Sequence, residues 1–261
     1  TNQLSGWYNV KSMFYVSRTI HNFRRFSTSS SSSLVGEHSL VNARNAPTDF
    51  VQSSAVVYED FWTSDEEQIF LADVTKRTNH MRYLNNHWDF AIQGFKEIEL
   101  LDESLLHPVS QLALKKTRSF LLSHHLDADS TFLPCHVIDL GKSGMLRPHV
   151  DSVRFSGGLV AGVSLMSPSI MRLKPAVEAY GDPPEGLVDL LLPRLSLYVL
   201  SGVSRYKYTH ELLESGACFE DNEGMKRQIE RDSRVSVIFR DSKQTEGQLI
   251  KVFECFLCAC D

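Results

Sequence analysis

The chain has 261 residues, 42% of them hydrophobic and 23% charged, with 27 basic side chains against 32 acidic ones. That balance excludes a wholly disordered or fibrous protein and provides enough chain for one large or two small globular cores. The most apolar run, from Leu187 to Leu200, is interrupted by Asp189, Pro193 and Arg194, so no transmembrane segment is expected. Five cysteines, three of them crowded at the end (Cys255, Cys258, Cys260), fit a reducing compartment better than a secreted disulfide framework.

Residues 1–36 hold Lys11, Arg18, Arg24 and Arg25 but no acid, and they run through the Ser-rich stretch Ser27 to Ser33. Basic, Ser-rich and acid-free is the composition of a mitochondrial transit segment, and the expected destination is the matrix. Arg24-Arg25-Phe26 followed by Ser27 has the form of a matrix-peptidase cleavage site, and Met13 is a candidate initiator. Without this leader, 23 basic residues face 32 acidic ones, a net charge of −9. So acidic a domain is a poor generic nucleic-acid binder. Residues 37–241 are expected to form the functional domain and 242–261 a tail. The three tail cysteines lack a fourth ligand nearby and are read as a reactive or unstructured terminus.

Along the domain, Thr63-Ser-Asp-Glu-Glu67 offers a capping box from Ser64 to Glu67 and opens a helix to about Arg77, with Ile69, Phe70 and Val74 facing inward. A second helical pattern covers Asp102 to Leu126. Pro108 marks a break or a fresh first turn in it, and Leu112, Leu114, Phe120, Leu121 and Leu122 supply the apolar face. From Cys135 the character changes to short β-type runs: His136–Leu140, Leu159–Leu165, Ile170–Leu173, Leu187–Leu192, Leu195–Leu200 and Val235–Phe239. Strands clustered after helices predict an α+β fold, an antiparallel sandwich or jelly roll with flanking N-terminal helices.

Phosphate-cradling, dinucleotide-binding, hydrolase-elbow and helical zinc-protease motifs are missing from the sequence. His-x-Asp occurs three times, and in an extended segment it puts an imidazole and a carboxylate on one face. His125-Leu-Asp127 falls at a helix end, where two residues apart means different directions. His87-Trp-Asp89 reads as a pocket wall or loop anchor. His149-Val-Asp151 enters the β-rich half, with His210 downstream, and two histidines with one carboxylate make the facial triad of non-haem Fe(II) oxygenases. Arg234-Val-Ser-Val-Ile-Phe-Arg240 then sets two arginines on one side of a final strand, suited to grip a carboxylate.

The order His-x-Asp, His, Arg-x5-Arg resembles the AlkB family of Fe(II)- and 2-oxoglutarate-dependent dioxygenases, whose fold is a double-stranded β-helix. The stretches Tyr83 to Phe95, His149 to Phe155, Ala161 to Leu173 and Ser196 to Leu200 are similar to its mitochondrial branch. The resemblance covers about Val51 to Arg240. It implies that His149, Asp151 and His210 bind iron and that Arg234 clamps the distal carboxylate of 2-oxoglutarate. It further implies that Arg240 lies near the keto-acid end and that Tyr198 contributes a hydroxyl. Repair enzymes of the family carry Asn and Tyr, both touching 2-oxoglutarate, where this chain has Ile138 and Leu140, and an acidic base-reading group where it has Val153. An apolar side chain cannot accept a base amino hydrogen, so repair of duplex DNA is not expected.

Three functional readings follow from the resemblance. One is a mitochondrial dioxygenase that converts 2-oxoglutarate to succinate and CO2 while oxidising a protein side chain, in a branch linked to fatty-acid metabolism and programmed necrosis. A second is a demethylase of methylated mitochondrial RNA, for which Arg172, Arg205 and Lys207 are the basic residues at hand. The third is a largely non-catalytic mitochondrial regulatory binding protein.

Overall fold

The computed structural model describes residues 38–44, 46, 54–85, 87, 90–177 and 185–243. The transit segment, Trp88, Asp89 and the cysteines of the tail lie outside them. Twelve strands and three helices are named here in chain order. They are β1 (Val41–Arg44), β2 (Ala55–Tyr58), α1 (Ser64–Thr78), β3 (Ile92–Leu100), α2 (Pro108–His124), β4 (Cys135–Leu146), β5 (Leu159–Leu165), β6 (Ser169–Pro175), β7 (Leu187–Leu192), β8 (Ser196–Ser201), α3 (Gly202–Tyr206), β9 (Tyr208–Leu212), β10 (Ala217–Glu220), β11 (Lys226–Ile229) and β12 (Arg234–Arg240). Single 3-10 turns cover His38–Leu40 and Glu103–Leu105. No described helix is long and apolar enough to cross a membrane.

The strands form a six-stranded sheet in the order β2-β8-β5-β12-β4-β3, a four-stranded sheet β1-β7-β6-β9 and the hairpin β10-β11, and all the pairings among them are antiparallel. The two larger sheets share one core, in which Val57, Phe95, Leu140 and Leu200 meet Met171, Leu173, Val188, Leu190 and Tyr208. This is the jelly roll expected from strands clustered after helices. A second core lies on the opposite face of the six-stranded sheet, where Val137, Ala161, Val163, Val199, Val235, Val237 and Phe239 pack against Trp62, Phe70, Val74, Ala113, Leu114 and Leu121. Each large side chain so buried contributes about 1.5–3 kcal/mol.

Both faces of the six-stranded sheet are therefore covered, which is why β5 has all seven residues buried. Alternation still decides what goes where. Along β12, Val235, Val237 and Phe239 face the helices, so Arg234, Ser236, Ile238 and Arg240 face the space between the sheets.

The helices depart from expectation in detail. The capping box of α1 is Thr63 with Glu66: the Thr63 hydroxyl accepts from the Glu66 amide (3.1 Å), and the Glu66 carboxylate accepts from the Thr63 amide (2.7 Å). Glu67 instead turns inward, accepting from the Met166 amide and forming an ion pair with Arg194. Pro108 is the first residue of α2, where its missing N–H costs nothing. The inward stripe of α2 is Ser110, Ala113, Leu114, Thr117 and Leu121, while Leu112 points to solvent at 65% exposure. Small Ala113 and Thr117 let α2 approach Trp62, whose indole N–H donates to the Thr117 hydroxyl (3.0 Å).

β3 has no counterpart among the expected strands, because Gly94 with φ +66 and the charges of Lys96, Glu97 and Glu99 break the apolar alternation. The glycine is needed: a Cβ at position 94 would lie 2.9 Å from the Gly144 Cα of β4, at the register shift between the two strands.

Candidate metal centre and cosubstrate pocket

After β4 the chain turns through Arg147 and Pro148 into His149, which forms a two-way backbone bridge with His210 on β9. The His149 amide donates to the His210 carbonyl (3.2 Å), and the reverse bond is 2.8 Å. The bridge sets the two imidazoles side by side with ring centres 4.2 Å apart. Asp151 completes the group. Its Oδ1 lies 3.5 Å from His149 Nε2 and 3.8 Å from His210 Nε2, and one ligand atom from each residue falls within 4.8 Å of the others.

The protonation states suit a cation. His149 Nδ1 donates to the Arg147 carbonyl at 2.8 Å, which fixes the tautomer that keeps the lone pair on Nε2. Burial first, and then the neighbouring His149, pushes the His210 imidazole down to about 3, so it is neutral at physiological pH. Burial alone would raise the Asp151 carboxyl, but Arg240, joined by both histidines, holds it well below the usual range. Two imidazoles, that of His210 held neutral by its burial, and an ionised carboxylate, all on one side, are the donor set of a site that keeps coordination positions open.

β12 supplies the two arginines. Arg240 Nε donates to Asp151 Oδ2 at 2.7 Å, which places this guanidinium at the triad end of the strand and orients the carboxylate. Arg234, six residues back on the same face, is buried. Its Nε donates to Ser164 Oγ (2.9 Å), while its Nη2 finds no hydrogen-bond partner among the described residues. Tyr198 reaches the same patch from β8, its ring lying across Gly162 of β5. A Cβ there would sit 2.5 Å from the phenol oxygen. Burial raises the Tyr198 phenol and the charge of Arg234 draws it back. A buried guanidinium with an unused N–H is costly unless an anion completes it. The carboxylate of a bound organic acid has the matching charge and two-oxygen geometry.

Ile138 and Leu140 stand on β4 opposite Ser236 and Arg234 of β12, so the β4 side of the Arg234 guanidinium is apolar. His87 lies 3.8 Å from Glu97, which also pairs with His136 (3.2 Å), away from the triad. His125 follows the last residue of α2 and its Nε2 lies 2.9 Å from the Tyr58 hydroxyl.

Two site residues have no signal in the sequence reading. Arg205, taken there as a basic residue available to RNA, is 2% exposed and donates to the Asp151 carbonyl (2.8 Å), the Ser152 carbonyl (3.3 Å) and Ser156 Oγ (2.7 Å). Asp241 accepts from the Gly158 and Leu159 amides (3.0 and 2.8 Å) and so fixes the far end of the same loop. Position, not residue type, is informative here: one precedes His210 by five residues and the other directly follows Arg240.

A double-stranded antiparallel fold opening on two imidazoles, a carboxylate and an arginine strand defines a non-haem iron type of oxygenase. The chain is 36% identical over 197 residues to the Mus musculus protein named alpha-ketoglutarate-dependent dioxygenase alkB homolog 7, mitochondrial, covering 76% of this chain and 82% of the mouse protein. It is 34% identical over 197 residues to the Bos taurus protein of the same name, with the same coverage. The chain therefore belongs to the mitochondrial alkB homolog 7 family of alpha-ketoglutarate-dependent dioxygenases. No protein-family model matches it. Among solved structures, it is similar to a Pseudomonas putida prolyl-4-hydroxylase (TM-score 0.48, 13% identity, 75% of this chain and 96% of that one) and to OsALKBH1 (TM-score 0.42, 13% identity, 72% and 97%).

Proposed function

We propose that the protein is a mitochondrial Fe(II)- and 2-oxoglutarate-dependent dioxygenase that oxidises a protein side chain. One observation carries the catalytic part: the ionised Asp151 and the imidazoles of His149 and His210 converge within reach of one cation, beside a buried Arg234 whose Nη2 has no hydrogen-bond partner among the described residues. His149, Asp151 and His210 would hold the iron. Arg234 would take the distal carboxylate of 2-oxoglutarate, with the Tyr198 hydroxyl alongside, and Arg240 keeps Asp151 ionised and aimed. When bound, Fe(II) would let dioxygen be reduced at the expense of 2-oxoglutarate, one oxygen atom ending in succinate as CO2 leaves and the other in the oxidised side chain. The chain's own residues do the rest. They would hold three ligand atoms together and offer a buried guanidinium to an anion beside Leu140 and Tyr198.

A protein substrate is favoured over RNA by what the basic residues do. Arg205 is spent on the loop that carries Asp151, and Arg172 is paired with the buried Asp189 (2.7 and 2.8 Å). Of the three positions open to a phosphate backbone, only Lys207 is left. Against a purely binding role stands the complete donor set, since a scaffold gains nothing from so costly a convergence. We place the activity in the matrix, in the setting that the resemblance links to fatty-acid metabolism and programmed necrosis.

The test is turnover of 2-oxoglutarate to succinate by the full chain with Fe(II), with and without mitochondrial peptide and RNA pools, alongside His149→Ala and Arg234→Ala. Wild-type turnover abolished in both variants, and stimulated by peptides, is the expected result. Stimulation by RNA alone would replace the substrate class, and absence of both metal and 2-oxoglutarate binding would overturn the site.

A further inference from the structure

The segment between Asp151 and β5 carries a metal-ligating candidate but has no regular structure of its own. Left to itself, such a loop would wander by more than the tolerance of a coordination bond. Three charged groups prevent this. Arg240 holds the Asp151 carboxylate, Asp241 holds the amides of Gly158 and Leu159, and Arg205 holds the main chain between them.

Arg205 is the unusual member. Its side chain is buried, yet it donates to two carbonyl oxygens and one hydroxyl rather than to a carboxylate. A planar guanidinium can span the carbonyls of consecutive residues with its two terminal nitrogens, which an ammonium cannot copy with the same geometry. Ser156 closes the arrangement, because its hydroxyl also donates to the Ser152 carbonyl (3.1 Å) and its amide to the same oxygen (3.3 Å). The short helix that carries Arg205 is anchored in turn. Ser204 Oγ accepts from the Ser201 amide (3.1 Å) and donates to the Ser54 carbonyl, and the Lys207 amide donates to the Val203 carbonyl (2.8 Å) before β9 begins. β9 then delivers His210. Arg205 thus joins the segment that carries one imidazole to the segment that carries the carboxylate, while the backbone bridge of His149 and His210 joins the two imidazoles.

We propose that Arg205 is a positioning residue for the metal centre: by clamping the carbonyls of Asp151 and Ser152 to the segment leading into His210, it sets the affinity and symmetry of the bound metal without touching it. The proposal rests on the reading of His149, Asp151 and His210 as the ligands. It explains why a charge is buried where the sequence alone shows only a basic residue near a histidine.

The experiment uses the full chain, Mn(II) as the probe metal, and Arg205→Gln, Arg205→Lys and Asp151→Asn variants. Equilibrium Mn(II) binding and the electron paramagnetic resonance line shape are read together with thermal unfolding of the metal-free protein. Arg205→Gln is expected to weaken Mn(II) about 10- to 100-fold, the usual range for loss of a group that orients a ligand. It should also broaden the spectrum, with metal-free unfolding close to that of the native chain, and Arg205→Lys should fall between. Mn(II) affinity and line shape within about twofold of native in Arg205→Gln would overturn the proposal. If that variant fails to fold, Arg205→Lys decides by the same two readouts. Native Mn(II) binding by Asp151→Asn would instead overturn the ligand assignment, which keeps the two failures apart.

Discussion

The two faces of the six-stranded sheet are built from the same strands and are equally covered, yet they do opposite things. Toward the helices, Val235, Val237 and Phe239 of β12 join an unbroken apolar layer. Toward the second sheet, the same strand presents Arg234, Ser236 and Arg240 beside Tyr198, Gly162 and Ser164. One face supplies stability and the other spends it, because Arg234 Nη2 and the Ser236 hydroxyl are buried there without partners among the described residues. A strand can serve both purposes since its side chains alternate, and a change of one position along β12 crosses from one role to the other.

Substitutions on the two faces should therefore separate binding from folding. The largest effect expected is from Asp151→Asn, which removes the proposed anionic ligand and should lower succinate formation at least about 10,000-fold, more than ~5 kcal/mol, beyond the loss of folding stability that comes from leaving the Arg240 guanidinium without its carboxylate. On the helix-facing side, Phe239→Ala should cost about 3–5 kcal/mol in chemical denaturation while the folded fraction keeps its 2-oxoglutarate KM. A shifted KM there would break the separation. Arg234→Met on the inner face should do the reverse, raising the 2-oxoglutarate KM by about 2–3 kcal/mol equivalents with unfolding unchanged or slightly improved. Gly162→Ala should be milder, about 1–3 kcal/mol of crowding against Tyr198, read as a higher 2-oxoglutarate KM.

Acid should expose the cost of the inner face most gradually. His210 is pushed down from its ordinary 6.5 to about 3, so in the metal-free protein the unfolded chain takes up a proton that the folded one refuses. Stability is then fully present above 6.5 and falls as pH drops through the window to about 3, by up to about 1.4 kcal/mol per pH unit. His210→Gln should flatten that slope in denaturation measured from pH 7 to pH 4.

How much of this was legible in the sequence follows from the same contrast. β5, β7, β8 and β12 are apolar enough to announce themselves, and His-x-Asp, His210 and the Arg pair lie in an order that geometry later brings together. β3 was hidden, since one of its positions is a left-handed glycine and three more are charged. The inward face of α2 was misjudged at Leu112 because leucine outranks Ala113 and Thr117 on hydrophobicity alone, whereas close packing against Trp62 selects the smaller residues. Arg205 and Asp241 were illegible for a different reason. Their roles consist of hydrogen bonds to main-chain atoms about 50 and 80 residues away in sequence, which leave no pattern in residue type.

The backbone bridge between His149 and His210 carries one more consequence. Because the two main chains hold each other, the spacing of the imidazoles does not depend on the imidazoles being there. Truncating either histidine leaves a ring-shaped gap beside an intact partner, and small heterocycles supplied in solution could lodge in it. A dead His210→Gly protein revived by free imidazole would be a chemically switchable form of the enzyme, made possible by a pair of peptide hydrogen bonds.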